Sequence, residues 1–302
     1  MSEWGKGFWA MIGVCLTWGL SPLFYHQLAD VAVIEVLAHR TLWSLVLFLG
    51  ILGWQGRLGE FRRTLFGPFL PRLAFAATVI SINWGIFIWA VQAGYVVESS
   101  LGYYIFPLIA VVMGLVFFGE KLLAAQGVAV LIAALAVILL TWGLGVAPWI
   151  SLSLAISFAL YGVVKKSLPV GPVLSVACEV AILAPLALGW LLAQKAGIMP
   201  AALAHPVSFG TDMRMSLLLA ASGVITAVPL VMFSYASRRV EMSTLGLMLY
   251  LNPTLQFLCA VLVFGENFTR WHMIAFAMIW LALAIYSASA LIGQRAEARR
   301  NA

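Results

Sequence analysis

Two ionisable residues, Arg40 and Glu179, lie well inside long apolar runs of this chain. A charged side chain near the centre of a bilayer costs about 2.5–3.5 kcal/mol on insertion scales, and such residues usually face a watery cavity or a charged partner. A guanidinium presents a planar fork that holds a carboxylate through two parallel hydrogen bonds. We therefore expect Arg40 to bind an anionic group of a solute, and Glu179 to offset that charge, bind a solute amine or carry a coupling proton. The alternative is a structural Arg40–Glu179 ion pair that never touches a solute.

Polar and aromatic side chains in neighbouring apolar runs form a second group of candidates. His39 precedes Arg40 and points about 100° away around a helix. It would either titrate near neutral pH and relay protons, or hydrogen-bond a structural neighbour. Aromatic rings and side-chain amides hold zwitterionic or aromatic solutes through cation–π contacts and hydrogen bonds, with simple packing as the alternative role. The candidates of this kind for a cavity lining are Asn83, Trp84, Tyr104, Tyr250 and Asn252.

Pro107 and Pro253 occupy matched places inside two apolar runs. A proline within a helix removes one backbone hydrogen bond and frees the carbonyl four residues earlier, here those of Tyr103 and Leu249. Freed carbonyls at membrane depth are tolerated where they line a cavity or meet a polar partner. We expect paired helix kinks at the two prolines. The alternative is simple packing geometry, because proline is common in spanning helices.

The two prolines belong to a repeated sequence. The first copy, SLGYYIFPLIAVVMGLVFFGE, ends at Glu120, and the second, GLMLYLNPTLQFLCAVLVFGE, ends at Glu266. The copies align without a gap, and the alignment pairs Tyr104 with Tyr250. We expect the glycine before each glutamate to end its helix in a left-handed turn. Each glutamate is then expected to meet the positive dipole end of the next helix.

The composition requires a bilayer along nearly the whole chain. Of the 302 residues, 64% are hydrophobic and 9% are charged, and the mean hydropathy is +1.05. Soluble domains are about 45–50% apolar and about 25% charged. A spanning helix needs about 20 mostly apolar residues. The sequence predicts ten such helices, at 7–26, 33–53, 73–93, 97–118, 122–143, 147–164, 172–193, 215–236, 243–264 and 269–292.

The loop charges predict an orientation for these helices. With the amino terminus in the cytoplasm, thirteen basic residues fall on the cytoplasmic side and only Lys195, Arg214 and Arg270 on the other. This bias satisfies the positive-inside rule, and both termini are then cytoplasmic. Ten spans in a two-copy repeat give five spans per copy, and because five is odd the second copy is inverted. We predict a first five-helix repeat at 1–145 and a second, inverted five-helix repeat at 146–302.

Three stretches, two of which overlap the repeat, resemble a known family. They are TWGLSPLFYHQLADVAVIEVLAHRTLWSLVLFL, NWGIFIWAVQAGYVVESSLGYYIFPL and LMLYLNPTLQFLCAVLVFGE. They resemble the RarD-type proteins of the EamA family, within the drug/metabolite transporter superfamily, and the resemblance covers nearly the full chain. It implies ten helices in two inverted five-helix units around a central cavity. It also implies a bacterial inner-membrane location and the movement of small organic solutes.

We therefore expect a secondary transporter that moves small organic solutes by alternating access. Amino-acid-like metabolites or drugs, anionic or zwitterionic, are the expected solutes. The alternatives are a channel or a structural membrane subunit that transports nothing. A membrane enzyme is less favoured, because the sequence shows no nucleophile with a base, no metal-ligand spacing and no phosphate loop.

The sequence also limits which cofactors and partners are expected. No catalytic residue, metal ligand or cofactor is expected, and proton coupling is left open. The basic residues sit in short loops rather than in a stripe with interleaved aromatics, which excludes a nucleic-acid partner. The expected partners are a small-molecule solute and membrane lipid. An internal duplication supplies both halves in one chain, so we expect a monomer or a weak homodimer.

Overall fold

The computed structural model describes residues 2–119, 124–145, 147–201, 204–240, 245 and 248–300, with side chains as far as residue 289. Over these residues the regular elements are helices, and extended pairing is confined to one bridge between Phe209 and Asp212. The helices in chain order are α1 (Glu3–Gly19), α2 (Ser21–His26), α3 (Val33–Trp54), α4 (Leu58–Leu65), α5 (Leu70–Gln92), α6 (Val96–Phe118), α7 (Ala124–Leu144), α8 (Trp149–Lys166), α9 (Pro172–Lys195), α10 (Met213–Ala236), α11 (Leu251–Leu258) and α12 (Arg270–Arg300). A π-helical turn, Cys259–Val263, follows α11.

The described residues contain nine helical segments that are long and apolar enough to cross a membrane, and a shorter apolar one at Leu251–Val263. The shorter segment belongs to the predicted ninth run, at whose start 241–244 and 246–247 lie outside the described residues. The predicted all-helical, multi-pass membrane fold is confirmed. A helix suits these apolar runs because it satisfies every backbone polar group within its own segment.

The first span, predicted as one run at 7–26, consists of α1 and α2. The two helices meet at Leu20, because Pro22 lies in the first turn of α2 and has no backbone N–H to continue α1. The hydroxyl of Ser21 donates to the carbonyl of Trp18 at 2.7 Å, so this carbonyl at the end of α1 is satisfied. After the break, α2 packs against α5 at the same end of the bundle as the start of α3.

The predicted loop at 54–72 contains a further helix, α4. Its Phe61 and Leu65 pack against Cys178 of α9, while Arg62 and Arg63 are exposed. A short helix with one apolar face and basic residues on the other is typical of segments that lie along a membrane surface.

Hydrogen bonds between distant turns sort the helix ends into two groups. At one end, the bonds join Glu3 to Arg239 and Arg72 to Ser167. At the other end, they join Gln92 to Leu28, Glu35 to Ser208, Gln27 to Arg214 and Glu266 to Val96. Because successive long helices start in alternate groups, each runs antiparallel to the one before it. This alternation is what a chain that crosses a membrane repeatedly must show.

The left-handed glycine turns predicted after the repeated sequence are present. Gly119 has φ +62° and Gly265 has φ +64°, a backbone region that glycine enters without a Cβ clash. Glu120 lies outside the described residues. The prediction for Glu266 is wrong in its partner: this carboxylate accepts the N–H groups of Val96 and Val97 at the start of α6, not those of the helix that follows it. The turn at Gly265 directs the Glu266 side chain toward α6 rather than toward α12.

The two matched prolines occupy different helical positions. Pro107 lies in the interior of α6, as predicted. Pro253 lies in the first turn of α11, because helical geometry is interrupted at Tyr250. The Tyr250 carbonyl accepts the Oγ1–H of Thr254 at 2.7 Å. In the second copy of the repeat, the helix is therefore interrupted just before its proline and then widens into the π-helical turn at Cys259–Val263. Such π-helical turns often mark functional sites.

Candidate functional site

Arg40 lies inside the bundle and is 8% exposed. Its Nε donates to Oγ1 of Thr226 in α10 at 2.5 Å, and its Cζ lies 3.2 Å from the ring centroid of Trp84 in α5. Among the described residues, no carboxylate is within ion-pair distance of Arg40. Neither Nη nitrogen of Arg40 has a hydrogen-bond acceptor among the described residues. Both Nη atoms nevertheless retain some accessible surface. One face and one edge of the guanidinium are held, and the Nη fork is free.

A close approach of α3 and α10 sets the position of this guanidinium. Gly223 lies against the α3 backbone, where a Cβ at residue 223 would be 2.7 Å from the nitrogen of Ser44. Ser44 Oγ donates to the Gly223 carbonyl at 3.2 Å. Thr226 follows within one helical turn, so it also faces α3. Its hydroxyl donates to the Ser222 carbonyl at 3.0 Å and accepts the Nε–H of Arg40, which uses both of its hydrogen-bonding roles.

Phenol groups from three helices lie in the neighbourhood of the guanidinium. Tyr25 of α2, Tyr103 of α6 and Tyr161 of α8 lie close enough to interact with the charge of Arg40. The Tyr103 ring packs edge-on against Phe87, with centroids 5.9 Å apart. Arg40 thus sits among rings supplied by both halves of the chain, an environment of low dielectric constant in which its hydrogen bonds are strong.

Asn83 connects this aromatic shell to α8. It is fully buried, and its Nδ2 donates to the Leu154 carbonyl at 2.9 Å and to Ser157 Oγ at 2.8 Å. Its Oδ1 accepts the hydroxyl of Tyr103 at 3.4 Å. Of the predicted lining residues, Trp84 therefore contacts Arg40 directly, and Asn83 lies behind it, bonded to Tyr103. Asn83 acts there by joining α5, α6 and α8.

Glu179 lies in a second cluster, which shares Tyr161 with the surroundings of Arg40 and whose charges balance. It is 2% exposed. Its Oε1 accepts the ammonium of Lys165 at 2.7 Å and the hydroxyl of Ser175 at 2.9 Å, and its Oε2 accepts the hydroxyl of Tyr161 at 3.0 Å. Lys165 also donates to Ser175. Both carboxylate oxygens are occupied, and one lysine neutralises one glutamate.

The alternative of an Arg40–Glu179 ion pair is therefore wrong, and Glu179 does not offset the charge of Arg40. Both residues are seven positions from the start of their helices, but α3 and α9 start at opposite ends of the bundle. The carboxyl-terminal half of α3 and the first half of α9 share a hydrophobic cluster that contains Leu52 and Leu174. With these two residues taken as level, a rise of 1.5 Å per residue puts Arg40 and Glu179 about 10 Å apart along the helix axes.

His39 points away from Arg40, toward the segment before α10. Its ring stacks on Phe209 with centroids 4.5 Å apart, and its Nε2 is sealed without a partner among the described residues. Glu35, one turn earlier on the same face of α3, accepts the backbone N–H groups of Ser208 at 2.8 Å and Phe209 at 3.1 Å. His39 and Glu35 fasten this segment to the end of α3, and a proton role for His39 stays a prediction.

Three other predicted lining residues lie where α6 meets α11. Tyr104 is 2% exposed, and its hydroxyl shares a 2.6 Å hydrogen bond with Oγ1 of Thr254. Asn252 accepts the amide N–H of Gln256 at 2.9 Å, one turn further along α11. Tyr250 is partly buried where α11 begins. The Tyr104–Thr254 hydrogen bond joins helices of the two halves, whereas the hydrogen bonds of Tyr250 and Asn252 lie within α11. None of these bonds involves Arg40.

The sequence reasoning missed several residues of both clusters. The predicted span at 147–164 leaves Lys165 in a loop, although Lys165 belongs to the last turn of α8 and its side chain reaches back to Glu179. The spacing of these residues could have indicated the Lys165–Glu179 cluster. Tyr161 and Lys165 are four residues apart, as are Ser175 and Glu179, and residues at this spacing share a helix face. Thr226 carried no such signal, because its role depends on the packing of α10 on α3.

The two clusters allow different chemistry. Among the described residues, no group of three or more His, Cys, Asp or Glu side chains comes together as a metal site would require. The free fork of Arg40 is suited to a carboxylate or another planar oxyanion, which it binds through two charge-assisted hydrogen bonds. The Lys165–Glu179 cluster is already satisfied by its own members.

Comparison with known proteins gives the family. Residues 5–142 match the EamA-like transporter family. Protein RarD of Streptomyces exfoliatus is 44% identical over 288 residues, which are 94% of this chain and 89% of that protein. The uncharacterized transporter YojE of Bacillus subtilis is 37% identical, with 93% of each chain covered. The chloramphenicol-sensitive protein RarD of Pseudomonas aeruginosa is 31% identical, with 98% of each chain covered.

The fold is also found in a solved crystal structure. That protein is 17% identical to this chain and superposes with a TM-score of 0.60, over 93% of this chain and 96% of its own. The relatives named by function are transporters rather than enzymes. Because its sequence matches the family over residues 5–142 and its RarD relatives over nearly their full length, this chain belongs to the EamA-like transporter family, in its RarD-type branch.

Proposed function

We propose that this protein is a secondary transporter that moves small organic solutes across the bacterial inner membrane by alternating access. The observation that carries the proposal is the free Nη fork of Arg40, a buried cation in the first half of the chain held by Thr226 of the second half. Keeping such a charge in a membrane protein is costly, and it is typical of residues that meet a substrate. In transporters built from inverted repeats, the solute binds where the two halves meet.

The two halves are proposed to be inverted five-helix repeats, 1–145 and 146–302. The Tyr104–Thr254 contact between α6 and α11 is then among those that change as one half moves against the other, with Tyr250 and Asn252 nearby on α11. Pro107, Pro253 and the break at Tyr250 supply places where these helices bend. Arg40 is the solute anchor, with Trp84 and Asn83 holding its surroundings. His39 and Glu179 are the candidates for a coupling proton.

The proposed solutes are amino-acid-like metabolites or drugs, either anionic or zwitterionic. One relative is named for chloramphenicol sensitivity, which makes amphenicols a reasonable part of any test panel. The energy source is a solute gradient or the proton motive force, and the protein works as a monomer or weak homodimer. Its basic loops favour an orientation with both termini in the cytoplasm.

The decisive experiment is uptake into proteoliposomes that hold the purified full-length protein. The panel includes amino acids, organic acids and amphenicols, each with and without a pH gradient. Saturable flux of a compound is expected, and dependence on the pH gradient would identify proton coupling. Vesicles that stay inert across the panel and impermeable to ions would favour a structural subunit. Continuous ion currents would favour a channel.

A further inference from the structure

We infer that the solute is a monoanionic organic acid whose carboxylate is bound by the Nη fork of Arg40. The inference rests on the proposed transport function and narrows its substrate class. It follows from two observations: Arg40 is a buried cation with no carboxylate at ion-pair distance among the residues the structure describes, and the carboxylate that a solute amine would need, Glu179, is already neutralised by Lys165.

The charge balance excludes a solute amine at Glu179. Lys165 lies 2.7 Å from Glu179, and the hydroxyls of Ser175 and Tyr161 occupy the same carboxylate. A second ammonium would share one negative charge with Lys165, and burying such an excess is unfavourable. Arg40 has no such partner among the described residues. A solute with one net negative charge completes the balance, whereas a zwitterion or an amine does not.

Glu35 is the other carboxylate of α3, and its position removes it as a partner for a solute at Arg40. It lies five residues earlier, which is about 140° around the helix from Arg40. Its Oε1 is held by the N–H groups of Ser208 and Phe209, and its Oε2 is sealed. The Glu35 carboxylate therefore binds the backbone of the segment before α10 and does not face the Nη nitrogens of Arg40.

The geometry of the guanidinium favours a carboxylate over a spherical anion. Trp84 covers one face of the group, and Thr226 holds the Nε edge. The remaining edge is the end-on pair of Nη nitrogens, which matches the two oxygens of a carboxylate in one plane. Phe87 packs edge-on against Trp84, which covers the guanidinium, and against Tyr103. An apolar, preferably aromatic, remainder of the solute would pack against them.

The test uses four compounds on one skeleton that differ in charge: 3-phenylpropionate, 3-phenylpropionamide, phenylalanine and phenethylamine. Binding to the detergent-solubilised full-length protein and uptake into proteoliposomes are measured separately. We expect 3-phenylpropionate to bind at least tenfold more tightly than the other three compounds. Arg40→Gln is expected to weaken this binding by about 10- to 100-fold, the range of a charge-assisted pair of hydrogen bonds. Arg40→Lys keeps the charge but loses the fork, and an intermediate loss is expected.

The control variant is Arg63→Gln, which removes an exposed arginine of α4 and should leave binding unchanged. Equal or tighter binding of phenylalanine or phenethylamine would overturn the monoanion inference, as would anion binding that survives Arg40→Gln in a folded protein. In either case, saturable uptake of any compound would leave the proposed transport function intact. Conversely, anion binding that depends on Arg40 without any uptake would support the site and refute the transporter. Failure of every carboxylate to bind, on this and on unrelated aliphatic skeletons, would also overturn the inference.

Discussion

Glu266 and Val96 lie 170 positions apart in the chain, and a 2.8 Å hydrogen bond joins the carboxylate of the first to the backbone N–H of the second. The other carboxylate oxygen accepts the N–H of Val97 at 2.7 Å. The first N–H groups of a helix have no partner within the helix, and the positive end of its dipole favours an anion. One residue of the second half therefore caps the central helix of the first half.

Replacing Glu266 is expected to destabilise the fold through this cap. Glu266→Ala leaves two N–H groups of α6 unpaired and should lower stability by about 1–2 kcal/mol, whereas Glu266→Gln should lose less because one acceptor oxygen remains. The midpoint of thermal unfolding in detergent measures the effect. Glu60→Gln is the control, since Glu60 is an exposed residue of α4 and surface ion pairs contribute little. Equal midpoints for Glu266→Ala and Glu60→Gln would refute the cap.

Gly223→Ala is expected to separate α10 from α3. The new Cβ would lie 2.5 Å from the Cβ of Trp43 and 2.7 Å from the nitrogen of Ser44, and backbone atoms cannot move aside as a side chain can. Overpacking of this kind costs about 1–3 kcal/mol. A matched control is Gly50→Ala in α3, where a Cβ meets nothing within 4 Å. Unfolding midpoints and the affinity for 3-phenylpropionate should fall for the first variant only, because Thr226 moves with α10.

Lys165 and Glu179 are expected to behave as a coupled pair. Lys165→Met leaves a buried carboxylate without its counter-charge, and Glu179→Gln leaves an ammonium without its own, so each single change should be strongly destabilising. The double variant should recover much of the loss. A thermodynamic cycle on unfolding free energies should give a coupling of at least about 1 kcal/mol. Strictly additive losses would show that the two side chains do not depend on each other.

Tyr104→Phe tests the contact between α6 and α11. The change removes the hydroxyl that shares a 2.6 Å hydrogen bond with Thr254 and keeps the ring in place. We expect a loss of about 1 kcal/mol in stability, the usual size for one neutral hydrogen bond. Tyr95→Phe, at a residue that is 42% exposed, is the control and should change nothing. If the transporter proposal holds, Tyr104→Phe also alters the rate of uptake more than it alters solute affinity.

Labels on opposite turns test the membrane orientation. Gln55 follows α3 and Asp30 precedes it, and both are exposed. In intact cells, a membrane-impermeant maleimide should react with Asp30→Cys, and with Gln55→Cys only after the membrane is opened. The natural cysteines, Cys15, Cys178 and Cys259, are buried and should give little background. Reaction of both engineered cysteines in intact cells would contradict the antiparallel crossing of α3.

The partners of the charged residues depended on the tertiary structure. The positions of Arg40 and Glu179 on matched helices suggested an ion pair, but these helices run in opposite directions and hold the two charges at different depths. Lys165 was hidden in the same way, since its place at a helix end says nothing about a side chain that turns inward. Glu266 likewise caps a helix that only the packing of the two halves brings near.

The sequence by itself determined that this is an all-helical, multi-pass membrane protein of the EamA-like family, and which of its residues carry charge inside the apolar runs. Composition and continuous apolar length suffice for that, because a bilayer accepts few backbone structures and makes every buried charge conspicuous. The tertiary structure decided that Glu179 is neutralised by Lys165 and that Arg40 has no carboxylate partner in the part of the chain that the structure describes. That distinction depends on distances of a few ångströms between helices, which periodicity along one helix does not encode.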